Sequence, residues 1–386
     1  MDPLYLDNAA TTPLAPEVSE AMAPYFGAEF GNPSSRHPLG VRAEAALDLA
    51  RSRVARALGV RPQGVIFTSG GTEANNLAVL GIARAAQRLG RHVLIGPTEH
   101  ASVRAPALQL AEEGFEVEFL RLDEEGSLDL ADAERKLRPD TVLVAQMLAS
   151  NELGSVYPLR ELSRRVRAIS PRARIFADLV QAFGKLECSP LEMGVDAVSL
   201  SAHKIHGPKG AGALVLAGPL PLRPLVFGGD QERGLRSGTQ NVPAAVGLGV
   251  AAELAERERE TTARRLAEVA GAFVEGVREI PGARILRFGE RTLPPLDSIV
   301  PVLVSGAPAE VRMHHLEQRG VLVSSASACQ SKSRDISPAH RAAGLEPDRS
   351  RRVLRFSFSR YTTPDEARRA AQVLAEVSRE LDAVAR

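Results

Sequence analysis

The sequence predicts an α/β fold built on a mostly parallel seven-stranded sheet flanked by helices, with a smaller α+β domain towards the C-terminus. Three observations carry this. Between about residues 64 and 216, seven short β-rich apolar runs are separated by amphipathic or turn-rich stretches. The runs are near-continuously apolar, as strands buried on both faces are. Several of them end at polar or ionisable residues, and ligands sit beyond the carboxyl ends of strands in such sheets.

The elements follow in order. Val65-Ile66-Phe67-Thr68 precedes a helical pattern from Asn75 to Leu89, and His92-Val93-Leu94-Ile95 precedes one from Ala101 to Glu113. Val117-Glu118-Phe119-Leu120 leads to Leu128–Leu137, and Thr141-Val142-Leu143-Val144-Ala145 to Leu159–Ile169. Three further strands are Arg174–Ala177, Ala197–Leu200 and Ala211–Leu216. One long helix is expected from about Ala244 to Glu268, its charged middle Glu256-Arg257-Glu258-Arg259-Glu260 reading as a solvated face. Beyond it, Asp297–Val304 and Val321–Val323 read as strands, Ala309–Arg319 and Pro364–Ala385 as helices. The expected division is a large domain over 12–257 and a small one over 1–11 and 258–386.

Composition narrows the classes. Of 386 residues, 44% are hydrophobic and 25% charged, which excludes disordered and fibrous chains. The net charge of +1 argues against a direct nucleic-acid binder, and 4% aromatics without Trp argue against base-stacking platforms. No signal peptide and no run of about 18 apolar residues is visible, so the expectation is a cytoplasmic protein with no membrane segment. There are only two cysteines, Cys188 and Cys329, and only five lysines against 43 arginines. Two cysteines make no disulfide framework, and a reducing compartment fits them.

The strand ends hold the candidate chemistry. Ser69-Gly70-Gly71-Thr72 stands where a strand hands over to a helix: either an anion cradle or a capped helix start. Asp178 follows a buried strand, either as a helix N-cap or as the partner of a ligand's protonated nitrogen. Lys204, in Ser201-Ala202-His203-Lys204-Ile205-His206-Gly207-Pro208-Lys209, is either a surface lysine or an amine placed to form a Schiff base. His203 and His206 lack neighbouring carboxylate or thiolate ligands, so no metal is expected. Ser324–Ser333 is a small-residue segment whose composition makes a mobile loop (about 324–340), and it carries Cys329. Cys188 reads as a small hydrophobe, and the lysines other than Lys204 and Lys209 read as ordinary.

In order along essentially the whole chain, these segments resemble the cysteine desulfurases, pyridoxal-phosphate enzymes of fold type I. The resemblance runs from Tyr5-Leu6-Asp7-Asn8-Ala9-Ala10-Thr11-Thr12-Pro13 and Gly31-Asn32-Pro33-Ser34-Ser35 through Ser69–Asn76, Thr98-Glu99-His100 and Asn151-Glu152-Leu153-Gly154. It continues through Asp178 and Lys204 to Gly234-Leu235-Arg236-Ser237-Gly238-Thr239, Cys329 and Leu354-Arg355-Phe356-Ser357. It implies that Lys204 holds pyridoxal phosphate through its amine, that Asp178 pairs with the ring nitrogen, and that Gln181 meets the ring hydroxyl. It implies that His100 lies on the ring and takes part in proton transfer. Gly71, Thr72, Ser201 and His203 would hold the phosphate, and Thr239 would reach the phosphate of a second subunit in a homodimer. Arg355, helped by Asn151, would bind the carboxylate of L-cysteine, and Cys329 would take its sulfur as a persulfide for an acceptor or iron–sulfur scaffold protein.

Leu179, Ser150 and Leu153 depart from the usual motif, and the charged residues after Cys329 (Lys332, Arg334, Asp335) bear on which acceptor docks. Lys204, Asp178 and the phosphate motif would equally serve a selenocysteine lyase, an aminotransferase or another β-eliminase. Cys329 separates the desulfurase from an aminotransferase. A non-enzymatic scaffold would be expected to lose Lys204, Asp178 or Cys329, and all three are present.

Overall fold

The computed structural model describes residues 3–325 and 336–384. Its large sheet has seven strands in the spatial order Val65–Thr68, Gly212–Leu216, Ala197–Ser201, Arg174–Asp178, Thr141–Ala145, His92–Ile95, Glu116–Phe119. The last five run parallel to one another. Gly212–Leu216 is antiparallel to both strands beside it.

The apolar runs form strands here because both faces are covered. Alternate residues feed two cores: Val144, Ile175, Val198 and Val215 on one face, Leu143, Phe176, Ala197 and Leu214 on the other. The edge strand Glu116–Phe119 is the most exposed of them and alternates Glu with apolar residues, as a half-buried strand does. The helices are amphipathic where one face is wet. Leu159–Ile169 buries Leu159, Leu162, Ser163 and Val166, the spacing of one helical stripe. Each such Leu or Val contributes roughly 1.5–3 kcal/mol by leaving water.

A second, four-stranded antiparallel sheet orders Ser324–Ser325, Val353–Ser357, Ile299–Val304 and Ala283–Ile285. Helices Arg259–Arg278 and Pro364–Val384 cover it with Phe273, Val277, Ala370 and Leu374 in a separate core. The strand Val353–Ser357 was not foreseen among the expected elements. The single helix expected over Ala244–Glu268 is instead two, Val242–Arg257 and Arg259–Arg278, broken at Glu258 (φ −102°, ψ 4°). No Gly or Pro marks the break. It falls where the chain leaves one core for the other, and the charged run occupies that junction.

The N-terminal segment joins the two sheets. Leu4–Tyr5 pairs with Val321–Leu322, Asn8 N–H donates to the Ser357 carbonyl, and Thr12 N–H donates to the His203 carbonyl. The strip from Asp7 to Thr12 is thereby laid across the carboxyl end of the large sheet.

Candidate active site

The site grows from strand ends. After Val65–Thr68 the chain turns into the helix Gly71–Ala86. A Cβ on Gly71 would lie 3.0 Å from Val180 Cγ2 and 3.3 Å from Ser201 Cβ, so glycine keeps a cradle open there. Backbone N–H groups at a helix start favour an anion in it. Thr72 is exposed at the first turn, while Ser201 is buried beside Gly71.

Asp178 closes its strand buried. Its Oδ1 accepts from Val180 N–H (2.8 Å) and its Oδ2 from Asn75 Nδ2 (2.7 Å). Burial pushes the carboxyl up, against those donors and the nearby His100 and Lys204. No regular helix starts at Asp178, so the N-cap alternative falls. Burial also lowers His100, and Lys204 adds to that while Asp178 opposes it.

Lys204 ends a 3₁₀ turn, Ala202–Lys204, and its Nζ donates to the carbonyls of Ala9 (2.5 Å) and Ala10 (2.6 Å). It is an anchored, half-buried amine rather than a surface one. Gln181 Nε2 reaches the same Ala9 carbonyl at 3.0 Å, while its buried Oε1 has no partner among the described residues. His203 Nδ1 lies 3.1 Å from Thr11 Oγ1, and burial with Lys204 and Lys209 pushes the imidazole down to about 4. Arg355, 5% exposed, pairs with Asp7 at 2.8 Å and donates to the Asn151 carbonyl at 3.0 Å. Its Nε is buried without a partner among the described residues.

The Asp7–Thr12 strip thus touches Arg355, Gln181, Lys204 and His203, four of the residues singled out from sequence. Thr239 is not among these contacts. It is exposed, and with Ser69, Gly210 and Arg236 it lines a cleft of about 160 Å³. Cys329 lies outside the described residues; Ser324, before it in the chain, pairs with Arg355. Cys188 is buried, and burial pushes its thiol up to about 12, as a small hydrophobe requires.

One expectation needs correcting. Lys185 is not ordinary: it is half-buried, donates to the Gln181 carbonyl at 3.0 Å, and is pushed down to about 8 by burial and then by Lys204. Sequence reading also missed what Asp7, Asn75 and the Ala9 and Ala10 carbonyls do. A backbone carbonyl carries no side-chain signal. Asn75 looked like one more polar residue of a helix start.

The arrangement offers an amine, a buried carboxylate for a protonated nitrogen, an imidazole, an anion cradle and a guanidinium for a carboxylate. The glycine-kept cradle and the unpartnered Gln181 Oε1 leave both a phosphate and a ring hydroxyl something to meet, so the residues fit pyridoxal phosphate.

The chain matches the aminotransferase class-V family over residues 4–369. It is 38% identical to cysteine desulfurase IscS 1 of Archaeoglobus fulgidus over 96% of this chain and 95% of that one. It is also 38% identical to cysteine desulfurase IscS of Dictyoglomus turgidum, over 98% and 95%. A solved NifS-like protein superposes with a TM-score of 0.92 at 32% identity, covering 98% of this chain and all of that one. SspA, solved in complex with cysteine, gives 0.81 at 32% identity over 93% and 100%. With amine, carboxylate, cradle and guanidinium gathered on such a sheet, and with the match running nearly end to end, the chain belongs to the aminotransferase class-V family, among the cysteine desulfurases.

Proposed function

We infer that this chain is a pyridoxal-phosphate-dependent cysteine desulfurase that converts L-cysteine to L-alanine and carries the sulfur on Cys329. One observation supports it above the others. The Asp7–Thr12 strip holds the Lys204 amine and the Arg355 guanidinium, and Asp178 stands beside His100 at the same sheet end.

In this reading Gly71, Thr72, Ser201 and His203 hold the cofactor's phosphate. Asp178 keeps its ring nitrogen protonated, Gln181 meets its hydroxyl, and Lys204 binds it covalently. The bound cofactor supplies an electron sink for the substrate's α-carbon. Arg355 takes the substrate carboxylate as a two-pronged donor, with Asn151 beside it. To do so it shares or leaves Asp7. Lys204 moves the proton at the α-carbon and His100 serves proton transfer beside it. The Cys329 thiolate attacks the substrate sulfur: an S–S bond forms as the C–S bond breaks, and the carbon left behind takes a proton to give alanine.

Thr239, an exposed residue, serves the site of a second copy in a homodimer, and exposed Phe26, Phe30 and Phe227 are consistent with such a contact. The large domain spans 12–257 and the small one 1–11 and 258–386, in keeping with the separate core of the second sheet. The acceptor is a protein of sulfur transfer, an iron–sulfur scaffold in the first place. The location is cytoplasmic; among the described residues no helix is long and apolar enough to cross a membrane.

The test is sulfur mobilisation by the holoenzyme. Wild type releases alanine from cysteine, and sulfide when a reductant is added. Cys329→Ala should lose the persulfide and the sulfur transfer. Lys204→Ala should lose covalently bound cofactor. Intact sulfur transfer by the first variant, or a covalently held cofactor in the second, would overturn the assignments.

A further inference from the structure

We propose that Asn75 and Ser102 are positioning residues that hold His100 as the neutral tautomer with its proton on Nε2, and that they tie it to Asp178. His100 is the N-cap of the helix Ala101–Glu112, and its Nδ1 accepts from the Ser102 backbone N–H at 3.2 Å. Ser102 Oγ lies 2.7 Å from the same Nδ1. Ser102 Oγ in turn accepts from Asn75 Nδ2 at 2.8 Å, and Asn75 Nδ2 also donates to Asp178 Oδ2 at 2.7 Å. All three supporting residues are buried.

The proton count then has one solution. The two hydrogens of Asn75 Nδ2 go to Asp178 and to Ser102 Oγ. The Ser102 backbone N–H can only donate, so Nδ1 is its acceptor, and the serine hydroxyl, which accepts from Asn75, gives its own proton to that same nitrogen. Two donors, the hydroxyl and the backbone N–H, converge on Nδ1. A proton there would face both of them, so Nδ1 keeps its lone pair and Nε2 carries the hydrogen. The charged and titratable neighbours are Asp178, Lys204, buried Glu99 and, one turn along the helix, Arg104. Of these, Asp178 favours a charged imidazole, while Lys204 and burial oppose it. The consequence is directional: His100 enters the reaction as a donor from Nε2. This rests on the reading of His100 as the proton-transfer group, and extends it to the groups that set its tautomer.

The experiment is a long-range proton–nitrogen correlation spectrum of holoenzyme labelled with ¹⁵N-histidine, His100 being assigned by its loss in His100→Gln. Wild type should show Nε2–H and a bare Nδ1. Ser102→Ala removes the hydroxyl donor that favours the neutral ring, so the His100 titration midpoint should rise by about half to one pH unit. It should also lower kcat with KM for cysteine little changed, and Ser102→Thr should restore both. Nδ1–H in the wild type, or an unmoved midpoint in Ser102→Ala, overturns the proposal. The wild-type spectrum decides it even if the variants fail to fold. Lack of covalently bound cofactor on Lys204 would instead sink the functional reading, whichever nitrogen carries the proton.

Discussion

Replacing Arg51 by Met tests how the segment bearing Thr239 is fastened. Glu232 and Arg233 both sit in the left-handed region (φ 47° and 59°), which costs a side-chain-bearing residue roughly 1–2 kcal/mol. What holds them is a buried ion pair. Arg51 meets Glu232 through two hydrogen bonds of 2.8 and 2.9 Å, and Glu232 also accepts the Phe67 N–H at 3.0 Å. The Glu232 side chain is 1% exposed and that of Arg51 15%. Met matches the aliphatic stem but strands the carboxylate. Removing one member of a buried pair costs about 3–5 kcal/mol. At about 2.1 cal/mol/K per residue, 386 residues unfold with an entropy of roughly 0.8 kcal/mol/K. A loss of about 4 kcal/mol therefore lowers Tm by about 5 °C. Calorimetry of holoenzyme variants measures it, with Arg51→Lys as the control that keeps charge but loses the fork. That control should fall between the two. A Met variant that melts within 1 °C of wild type would refute the clamp, and with it the claim that the backbone strain is held by this pair.

Lys185→Met should stabilise the protein at neutral pH. Burial holds the Lys185 amine near 8 against an ordinary 10.5, so its contribution to stability is full above 10.5 and lost as pH falls through 8. At pH 7 that penalty is about 3 kcal/mol, and the lost bond to the Gln181 carbonyl returns about 1. Denaturant unfolding should show a gain of about 2 kcal/mol that vanishes above pH 10.5. Glu152 works in the opposite sense: burial raises its carboxyl to about 6, against a Ser337 hydrogen bond and Arg355. Its stabilising share is present below about 4.5 and lost as pH rises through 6. Glu152→Gln should flatten the stability profile over that window, as read by unfolding midpoints. Gly212→Ala would place a Cβ 2.5 Å from the Gly70 carbonyl carbon. The backbone must move, so a loss of about 2–3 kcal/mol in urea unfolding and weaker cofactor retention are expected.

Much of this protein was legible before folding. Fully buried strands need unbroken apolar runs, so all seven strands of the large sheet could be read from composition and spacing. Ligand chemistry collects at their carboxyl ends, so Gly71, Asp178, Ser201 and Lys204 stood where the sheet type required them. The helix break at Glu258 was not legible, because it answers to the junction of two cores and no Gly or Pro signals it. Nor was the antiparallel insertion of Gly212–Leu216, since an apolar run buried on both faces has no direction in its sequence.

The sequence by itself determined the kinds of group available: one amine after a strand, a carboxylate, an imidazole, a guanidinium and a scarce thiol. Only the tertiary structure decided which groups bear on one another. Asp7 meets Arg355 across 348 residues, and Lys204 meets Ala9 across 195. Lys185 is half-buried and feels the charge of Lys204, although the two lysines looked unrelated in sequence. Asn75 and Ser102 link Asp178 to His100. Such contacts depend on burial and distance between segments remote in the chain. Local sequence carries no record of either.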